Sequence, residues 1–287
     1  MDRPATSPPA LLADLHGVLH DLSAPFVRAD DLGVVRGDGV FDVAFAVRGD
    51  VRHLEDHLDR LADSAGILQL PEPDRAGFRR AAAALVTAWD WGRRPEATVR
   101  FVQTRGPAGA EAPNGWAVIE ALPEETIAER NGVRVLVLDR GFEGDGIAEL
   151  PWLLPGAKSL SYGVNMAAKR YARQHGADDA LFVSPAGLLL EGPTSTLLLD
   201  LDGVIATPPQ DGILRSITLE ALRTAARSEG PEVRFQRLER EDLGRARGAW
   251  LVSSGRILAP ITSVDGTALP RSPLHGRLAR LLEVPGA

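Results

Sequence analysis

The chain has 287 residues, of which 44% are hydrophobic and 25% charged, a composition typical of folded globular proteins with room for two ordinary domains. Its net charge of −7 disfavours nucleic acid as a partner, and the absence of cysteine excludes disulfides, a thiol nucleophile and cysteine-ligated metals. No secretion signal and no apolar run of membrane-spanning length is found, so we expect a cytoplasmic protein that does not contact membranes.

The first half of the chain predicts an α+β domain. Strand-like segments at 25–35 and 40–47 flank a glycine-rich turn. Apolar residues then recur at spacings of three and four over 53–68, which indicates a helix. A second helix is predicted at 74–91, and two more strands follow it, at 97–106 and 115–122.

The second half repeats this mixture of strands and single helices, which again favours an α+β domain. Strands are predicted near 133–139, 180–184, 188–192, 196–208 and 249–266, and helices near 165–175, 217–229 and 274–284. The polar stretch 123–132 breaks the pattern. We therefore expect an N-terminal domain over 1–122, a linker at 123–132 and a C-terminal domain over 133–287.

Lysine is rare in this chain, since only two of its 32 basic residues are lysines. An ammonium group can lose its proton when it is desolvated, whereas a guanidinium cannot. Lys169 stands beside Arg170 on a predicted helix and is interpreted as a solvated charge. Lys158 follows a Pro-Gly turn and precedes an apolar segment, so it is the candidate reactive amine.

Five short motifs follow one another along the chain: RGDGVFDV at 36–43, HLDRL at 57–61, GAKSLSY at 156–162, LEGPTST at 190–196 and GILRSIT at 212–218. In this order they resemble the fold-type IV pyridoxal-phosphate (PLP) enzymes. That family includes D-amino acid transaminases, branched-chain transaminases and aminodeoxychorismate lyases. The resemblance spans about residues 26–264. It implies a two-domain α+β fold with the cofactor at the domain interface, and a homodimer with shared active sites.

The resemblance assigns the central roles to three residues. Lys158 matches the Schiff-base nucleophile, which also acts as the base and acid that moves the substrate's α-proton. Glu191 matches the carboxylate that keeps the pyridine nitrogen of PLP protonated. Arg60 matches the arginine that binds the cofactor's phosphate, and its planar fork suits two phosphate oxygens.

Further cofactor contacts are implied around the phosphate and the phenolic oxygen of PLP. Ile217 and Thr218 begin a predicted helix whose N–H groups and dipole favour an anion, with plain helix capping as the alternative. Ser254 matches another phosphate contact, and Gly255 replaces a threonine common in relatives, so its contact would come from backbone alone. Tyr162 resembles a tyrosine that hydrogen-bonds the phenolic oxygen in some relatives; a core tyrosine is the alternative.

No metal site is predicted. His53 and His57 have the spacing of a zinc pair on a helix, but no HExxH pattern surrounds them. We interpret them as a helix face near the phosphate arginine.

Two arginines match positions on the substrate side of the pocket in relatives. Arg36 and Arg100 would repel each other in one small pocket unless an anion lay between them. We therefore hypothesise that they clamp a substrate carboxylate, and Arg36 is a candidate for supply by the second subunit. The alternative is that either arginine pairs with a nearby acid such as Asp38 or Asp42.

Residues next to the first motif bear on the reaction type. Lyases generally carry threonine two residues after Phe41, a position held here by Val43, which lacks a hydroxyl for proton transfer. The pair Asp42-Val43 follows the form of D-amino acid transaminases, although their Arg-x-His carboxylate trap would fall at 105–115, where no histidine occurs. Phe41 and Val43 are therefore included among the substrate residues.

The resemblance therefore favours a transaminase that transfers the amino group of a D-amino acid to 2-oxoglutarate or pyruvate through pyridoxamine phosphate. The runner-up is an aminodeoxychorismate lyase that forms 4-aminobenzoate and pyruvate. A branched-chain L-amino acid or (R)-amine transaminase is third. A PLP-binding protein without catalysis is disfavoured because Lys158 and Glu191 are both present.

Overall fold

The computed structural model describes residues 10–142, 149–210 and 212–286. The chain divides into two compact units. The first comprises Met1–Glu124 and Ala157–Ser161, and the second comprises Glu125–Gly156 and Tyr162–Ala287.

The first unit contains a six-stranded antiparallel sheet among its described residues, with strand order β2-β1-β6-β5-β3-β4. The elements in chain order are β1 (Ala10–Asp14), β2 (Leu19–His20), α1 (Leu32–Arg36), β3 (Gly39–Val47), β4 (Asp50–Val51), α2 (Leu54–Ile67), α3 (Arg75–Ala88), β5 (Glu96–Thr104) and β6 (Asn114–Ala121).

Two helices cover one face of this sheet and bury its core. On α2, Leu58, Leu61 and Ala65 are buried, which confirms the helix predicted from the apolar spacing. On α3, Phe78 packs edge-to-face on Phe101 of β5, with ring centroids 5.8 Å apart. The apolar sides of both helices thus pack on the same face of the sheet.

The prediction of a strand at 25–35 is wrong, because this stretch is irregular and leads into α1. Asp31 caps α1, because one carboxylate oxygen accepts the Gly33 N–H at 2.7 Å. The other oxygen accepts hydrogen bonds from Thr104 and Asn114, at 2.8 and 2.6 Å. These distant partners stabilise a short helix where the local apolar pattern suggested a strand.

The segment Ala157–Ser161, which carries Lys158, belongs to the first unit, whereas the sequence placed it in the second domain. Backbone pairing with the start of β3 explains this. The Phe41 N–H donates to the Lys158 carbonyl at 3.0 Å, and the Leu160 N–H donates to the Gly39 carbonyl at 2.8 Å.

The second unit is built on a larger mixed sheet. Among the described residues nine strands pair, with β12-β11-β10-β13-β14-β7-β8 as the main path, β9 beside β10 and β15 beside β14. The strands are β7 (Val133–Asp139), β8 (Asp179–Val183), β9 (Glu191–Gly192), β10 (Ser195–Leu201), β11 (Val204–Thr207), β12 (Val233–Phe235), β13 (Ala249–Ser253), β14 (Ile257–Val264) and β15 (Thr267–Ala268).

The helices of the second unit agree in large part with the sequence. They are α4 (Glu124–Ala128), which begins at the unit boundary, α5 (Gly163–Gln174), α6 (Ile217–Glu229), α7 (Arg240–Arg245) and α8 (His275–Leu281), with short 3-10 turns at Glu129–Asn131 and Pro151–Leu153. The expected helices at 165–175 and 217–229 are confirmed as α5 and α6. The stretch 123–132, expected as a linker, contains α4 and a 3-10 turn.

Within residues 10–142, 149–210 and 212–286, no helix has the length and apolarity needed to cross a bilayer. In the same residues, no group of three or more metal-ligating side chains is arranged to hold a metal ion.

Candidate active site

Three of the predicted substrate residues share one face of the first unit's sheet. Val43 of β3 lies directly opposite Arg100 of β5, and Phe41 lies two residues before Val43. Because alternate residues of a strand point to the same side, Phe41, Val43 and Arg100 form one surface. Asp42 points to the opposite side, toward α2.

The Lys158 amine lies over the same surface. Its Nζ is 4.8 Å from the centroid of the Phe41 ring, and the Arg100 guanidinium carbon is 5.7 Å from that centroid. The negative face of an aromatic ring attracts cations, so Phe41 stabilises both groups. The Lys158 backbone N–H donates to the Ser64 hydroxyl of α2 at 3.1 Å, which helps to fix the segment.

The structure gives the two arginines of the expected clamp different surroundings. Arg100 pairs with Glu120 of β6 across 3.3 Å, and the two side chains are 42% and 35% exposed. Neither acid weighed from the sequence is its partner, because Asp38 binds Arg105 and Asp42 faces α2. Arg36 ends α1 and is exposed, with no ion pair among the described residues.

Arg60 is buried against a carboxylate. Its Nε and Nη2 donate to the two oxygens of Asp42, both at 2.7 Å. The sequence suggested that the fork of Arg60 meets two phosphate oxygens, but Asp42 occupies the Nε–Nη2 edge.

His57 completes this group, on the same helix as Arg60. It is 2% exposed, and its Nδ1 lies 2.6 Å from Asp42. Burial alone would raise the pKa of Asp42, but the charges and hydrogen bonds of Arg60 and His57 outweigh burial and hold that pKa far below its usual range. Burial lowers the pKa of His57, so a neutral ring donates its Nδ1–H to the carboxylate. Sequence reasoning missed this role, although Asp42 and His57 both lie inside recognised motifs.

In the second unit, Glu191 begins β9 and lies opposite Thr196 of β10. Tyr162 lies near the turn that follows Glu191, because its hydroxyl donates to the Pro193 carbonyl at 2.8 Å. Asn165 donates to the same carbonyl at 2.6 Å. A tyrosine hydroxyl has a single proton, so in this arrangement Tyr162 can only accept at any second partner.

Two buried polar atoms beside Glu191 lack hydrogen-bond partners in the described structure: the Ser195 hydroxyl and Nη1 of Arg140. The Arg140 guanidinium lies over the Phe182 ring at 4.6 Å. Burial lowers the pKa of Arg140, while the charges of Glu191 and Tyr162 oppose this shift. Because unsatisfied buried donors are costly, such atoms are typical of places that receive a polar ligand. The residues around Glu191 therefore fit a polar, ionisable cofactor.

The start of α6 carries a serine cap. Ser216 caps the helix, since its hydroxyl accepts the Leu219 N–H at 3.2 Å. The N–H groups of Ile217 and Thr218 precede the first intrahelical bonds, and both residues are buried. The capping weighed as the alternative is therefore present, and a phosphate contact at this helix start stays a prediction.

The turn with Ser254 and Gly255 is held by a buried arginine that sequence reasoning missed. Arg130 donates from Nη2 to the Gly255 carbonyl and from Nε to the Arg256 carbonyl, both at 3.2 Å. These bonds orient the peptide groups of the turn. Arg130 lies in the stretch taken for a linker, so no local signal pointed to it.

Arg256 anchors the same turn through acids that are distant in sequence. Its Nη2 donates to Asp179 at 2.7 Å, and its Nε lies 3.2 Å from Glu129. Lys169, expected as a solvated charge, is largely buried and lies 3.5 Å from Asp179. The interpretation of Lys169 as a surface charge is therefore wrong, because α5 turns it toward this buried carboxylate.

Comparison with known proteins agrees with these features. The family model described as amino-transferase class IV matches residues 39–264. A bifunctional aminodeoxychorismate lyase / D-amino acid transaminase from Mycobacterium tuberculosis is 38% identical over 282 residues, which cover 95% of this chain and 98% of that protein.

Solved structures agree as well. A fold IV transaminase from Curtobacterium pusillum has 41% identity and a TM-score of 0.89, with 96% of this chain and 99% of that chain covered. A hypothetical aminotransferase from M. tuberculosis, in an α-ketoglutarate- and PMP-bound form, has 39% identity and a TM-score of 0.92, with 95% and 97% covered. The chain therefore belongs to the class IV aminotransferases, and it is a PLP-dependent enzyme with their α+β fold.

Proposed function

We propose that this enzyme transfers the amino group of a D-amino acid to a 2-oxo acid, 2-oxoglutarate or pyruvate, through pyridoxamine phosphate. One observation carries the proposal: Lys158 Nζ and Arg100 lie against the same ring of Phe41, beside the apolar Val43. This surface offers a reactive amine, a receptor for the distal carboxylate of a dicarboxylic substrate and an apolar neighbour for other side chains. The relative named D-amino acid transaminase supports the same substrate class.

PLP supplies an aldehyde that joins to amines and a ring that withdraws electrons from the substrate carbon. In our proposal Lys158 is the amine that holds the cofactor, and it moves the substrate's α-proton once released. Glu191 holds the proton on the pyridine nitrogen. Tyr162 is assigned to the phenolic side of the ring, and its hydrogen bond to the Pro193 carbonyl holds the hydroxyl near Glu191.

The phosphate is assigned to three separate elements: the guanidinium of Arg60, the N–H groups of Ile217 and Thr218, and the turn of Ser254 and Gly255. Each offers hydrogen-bond donors to an anion. Arg60 is charge-balanced by Asp42, so it adds hydrogen bonds rather than a large net charge. The helix dipole of α6 adds a partial positive charge.

The lyase reaction remains the second candidate, because the M. tuberculosis relative is named for both activities. Val43 argues against it, since a valine supplies no hydroxyl to assist elimination. The third candidate is a transaminase that uses a branched-chain L-amino acid or an (R)-amine as donor, and the same assay tests it.

The test uses the purified, PLP-loaded enzyme and single amino acids. We expect D-alanine or D-glutamate to convert the absorbance of bound PLP into that of pyridoxamine phosphate, and 2-oxoglutarate to reverse the change. Lys158→Ala should abolish this conversion, whereas Arg170→Ala, an exposed change on α5, should leave it intact. No response to any D-amino acid, with 4-aminobenzoate released from aminodeoxychorismate, would contradict the proposal; a response to L-valine alone would favour the branched-chain alternative.

We also propose that the enzyme acts as a homodimer. Large apolar side chains are exposed on the first unit, among them Val18, Leu19, Val34 and Val35, and such surfaces are typical of association sites. Sedimentation at micromolar concentration should give twice the chain mass; a monomer that retains full activity would refute this. The cytoplasmic location stays a prediction.

A further inference from the structure

We infer that Glu120 is a specificity-determining residue, which competes with the distal carboxylate of the substrate for Arg100. Thr98 lies opposite Glu120, and Arg100 lies opposite Val118, so Glu120 is the diagonal neighbour of Arg100 on one face of the sheet. Its Oε2 lies 3.3 Å from Arg100 Nη2. The inference rests on the proposed function, in which Arg100 receives a carboxylate near Lys158.

Arg100 lies within reach of a substrate at Lys158. Each group sits against the Phe41 ring, at 5.7 and 4.8 Å from its centroid, so the guanidinium carbon and Nζ are at most about 10.5 Å apart. The extended chain of a five-carbon dicarboxylate, with a hydrogen bond at its far end, covers a distance of this order. A three-carbon 2-oxo acid such as pyruvate has no second carboxylate to offer Arg100.

Glu120 is the acid paired with Arg100 among the described residues, because the nearby acids are engaged elsewhere. Asp38 makes two hydrogen bonds with Arg105, at 2.6 and 3.1 Å. Asp42 is bound by Arg60 on the other side of the sheet. An incoming carboxylate therefore approaches against the charge of Glu120 and competes with it for Nη2.

The pair is well suited to this exchange, because it is half-exposed and weak. Ion pairs at such exposure contribute little net free energy, so substrate can displace Glu120 at small cost. A transaminase binds two different side chains in turn at one site. When the bound amino acid has an apolar side chain, Glu120 stays paired with Arg100. When the bound substrate is a dicarboxylate, Glu120 moves away from Arg100. Glu120 thus broadens the substrate range and weakens binding of the dicarboxylate.

The variant Glu120→Gln removes the charge and keeps the shape. We expect the KM for 2-oxoglutarate to fall about two- to fivefold, the range set by a weak exposed ion pair, with kcat and the KM for pyruvate unchanged. The effect should fade in high salt, because screening weakens exposed charges. Glu124→Gln, an exposed residue with the same charge change, is the matched control and should alter neither KM.

A binding measurement separates this inference from the proposed function. Glutarate, which cannot react, is titrated into the PLP-loaded enzyme by calorimetry, with butyrate as the monocarboxylate. Glu120→Gln should strengthen glutarate binding by the same factor and leave butyrate unchanged. Unchanged glutarate affinity, or an equal gain for butyrate, would overturn the inference. Stronger glutarate binding by an enzyme that transaminates nothing would instead refute the proposed function alone.

Discussion

Replacing Asp42 by alanine tests the buried group on α2 most directly. Asp42 is fully buried and accepts two hydrogen bonds from Arg60 and one from His57, at 2.6 to 2.7 Å. Its removal leaves a buried guanidinium without its counter-ion. Breaking a buried pair from one side costs about 3–5 kcal/mol, so we expect Asp42→Ala to lower the free energy of unfolding by about 4 kcal/mol.

The double variant Asp42→Ala/Arg60→Met is the control, because it removes both charges and restores apolar volume. Replacing a whole buried pair by apolar groups is often close to neutral, so the double variant should regain most of the lost stability. Urea unfolding of the PLP-free proteins, followed by circular dichroism at neutral pH, measures the free energy of unfolding of both variants. If the double variant is as unstable as Asp42→Ala, or if Asp42→Ala costs less than about 1 kcal/mol, the ion pair does not stabilise the fold as described.

Three further predictions follow from the same contacts. Burial lowers the pKa of His57, so as pH falls through about 6.5 the unfolded chain takes up a proton at this residue and the folded chain does not. The wild-type protein should therefore lose stability below that pH. In urea titrations at pH 7.5 and 5.5, His57→Gln should lack the part of this pH dependence that comes from His57. Arg130→Met should free the Gly255 turn and weaken PLP binding about tenfold in fluorescence titrations, with little effect on the binding of pyridoxal, which lacks the phosphate. Arg134→Met, which removes an exposed ion pair on β7, should leave the affinity for both ligands unchanged. Arg100→Leu should raise the KM for 2-oxoglutarate about 10- to 100-fold and leave that for pyruvate within about twofold; equal changes in both would exclude Arg100 as the carboxylate receptor.

The sequence determined the reaction class and most of the secondary structure. The family rests on short motifs whose residues are neighbours in the chain, such as GAKSLSY and LEGPTST, and these can be read without a fold. The helices α2 and α6 follow from apolar periodicity and from a serine cap, which are local signals as well. The segment leading into α1 was misread because Asp31, Thr104 and Asn114 stabilise that helix start from distant positions.

Only the tertiary structure decided which acid pairs with which arginine. The chain has 39 acidic and 32 basic residues, so composition allows many pairings, and proximity in sequence favoured the wrong ones for Arg100. Strand register brings Arg100 to Glu120, and packing of α2 on β3 brings Arg60 to Asp42. The pairing of Arg256 with Asp179 joins residues 77 positions apart. Coulomb attraction depends on distance in space and on burial, and both are fixed only when the sheets and helices assemble.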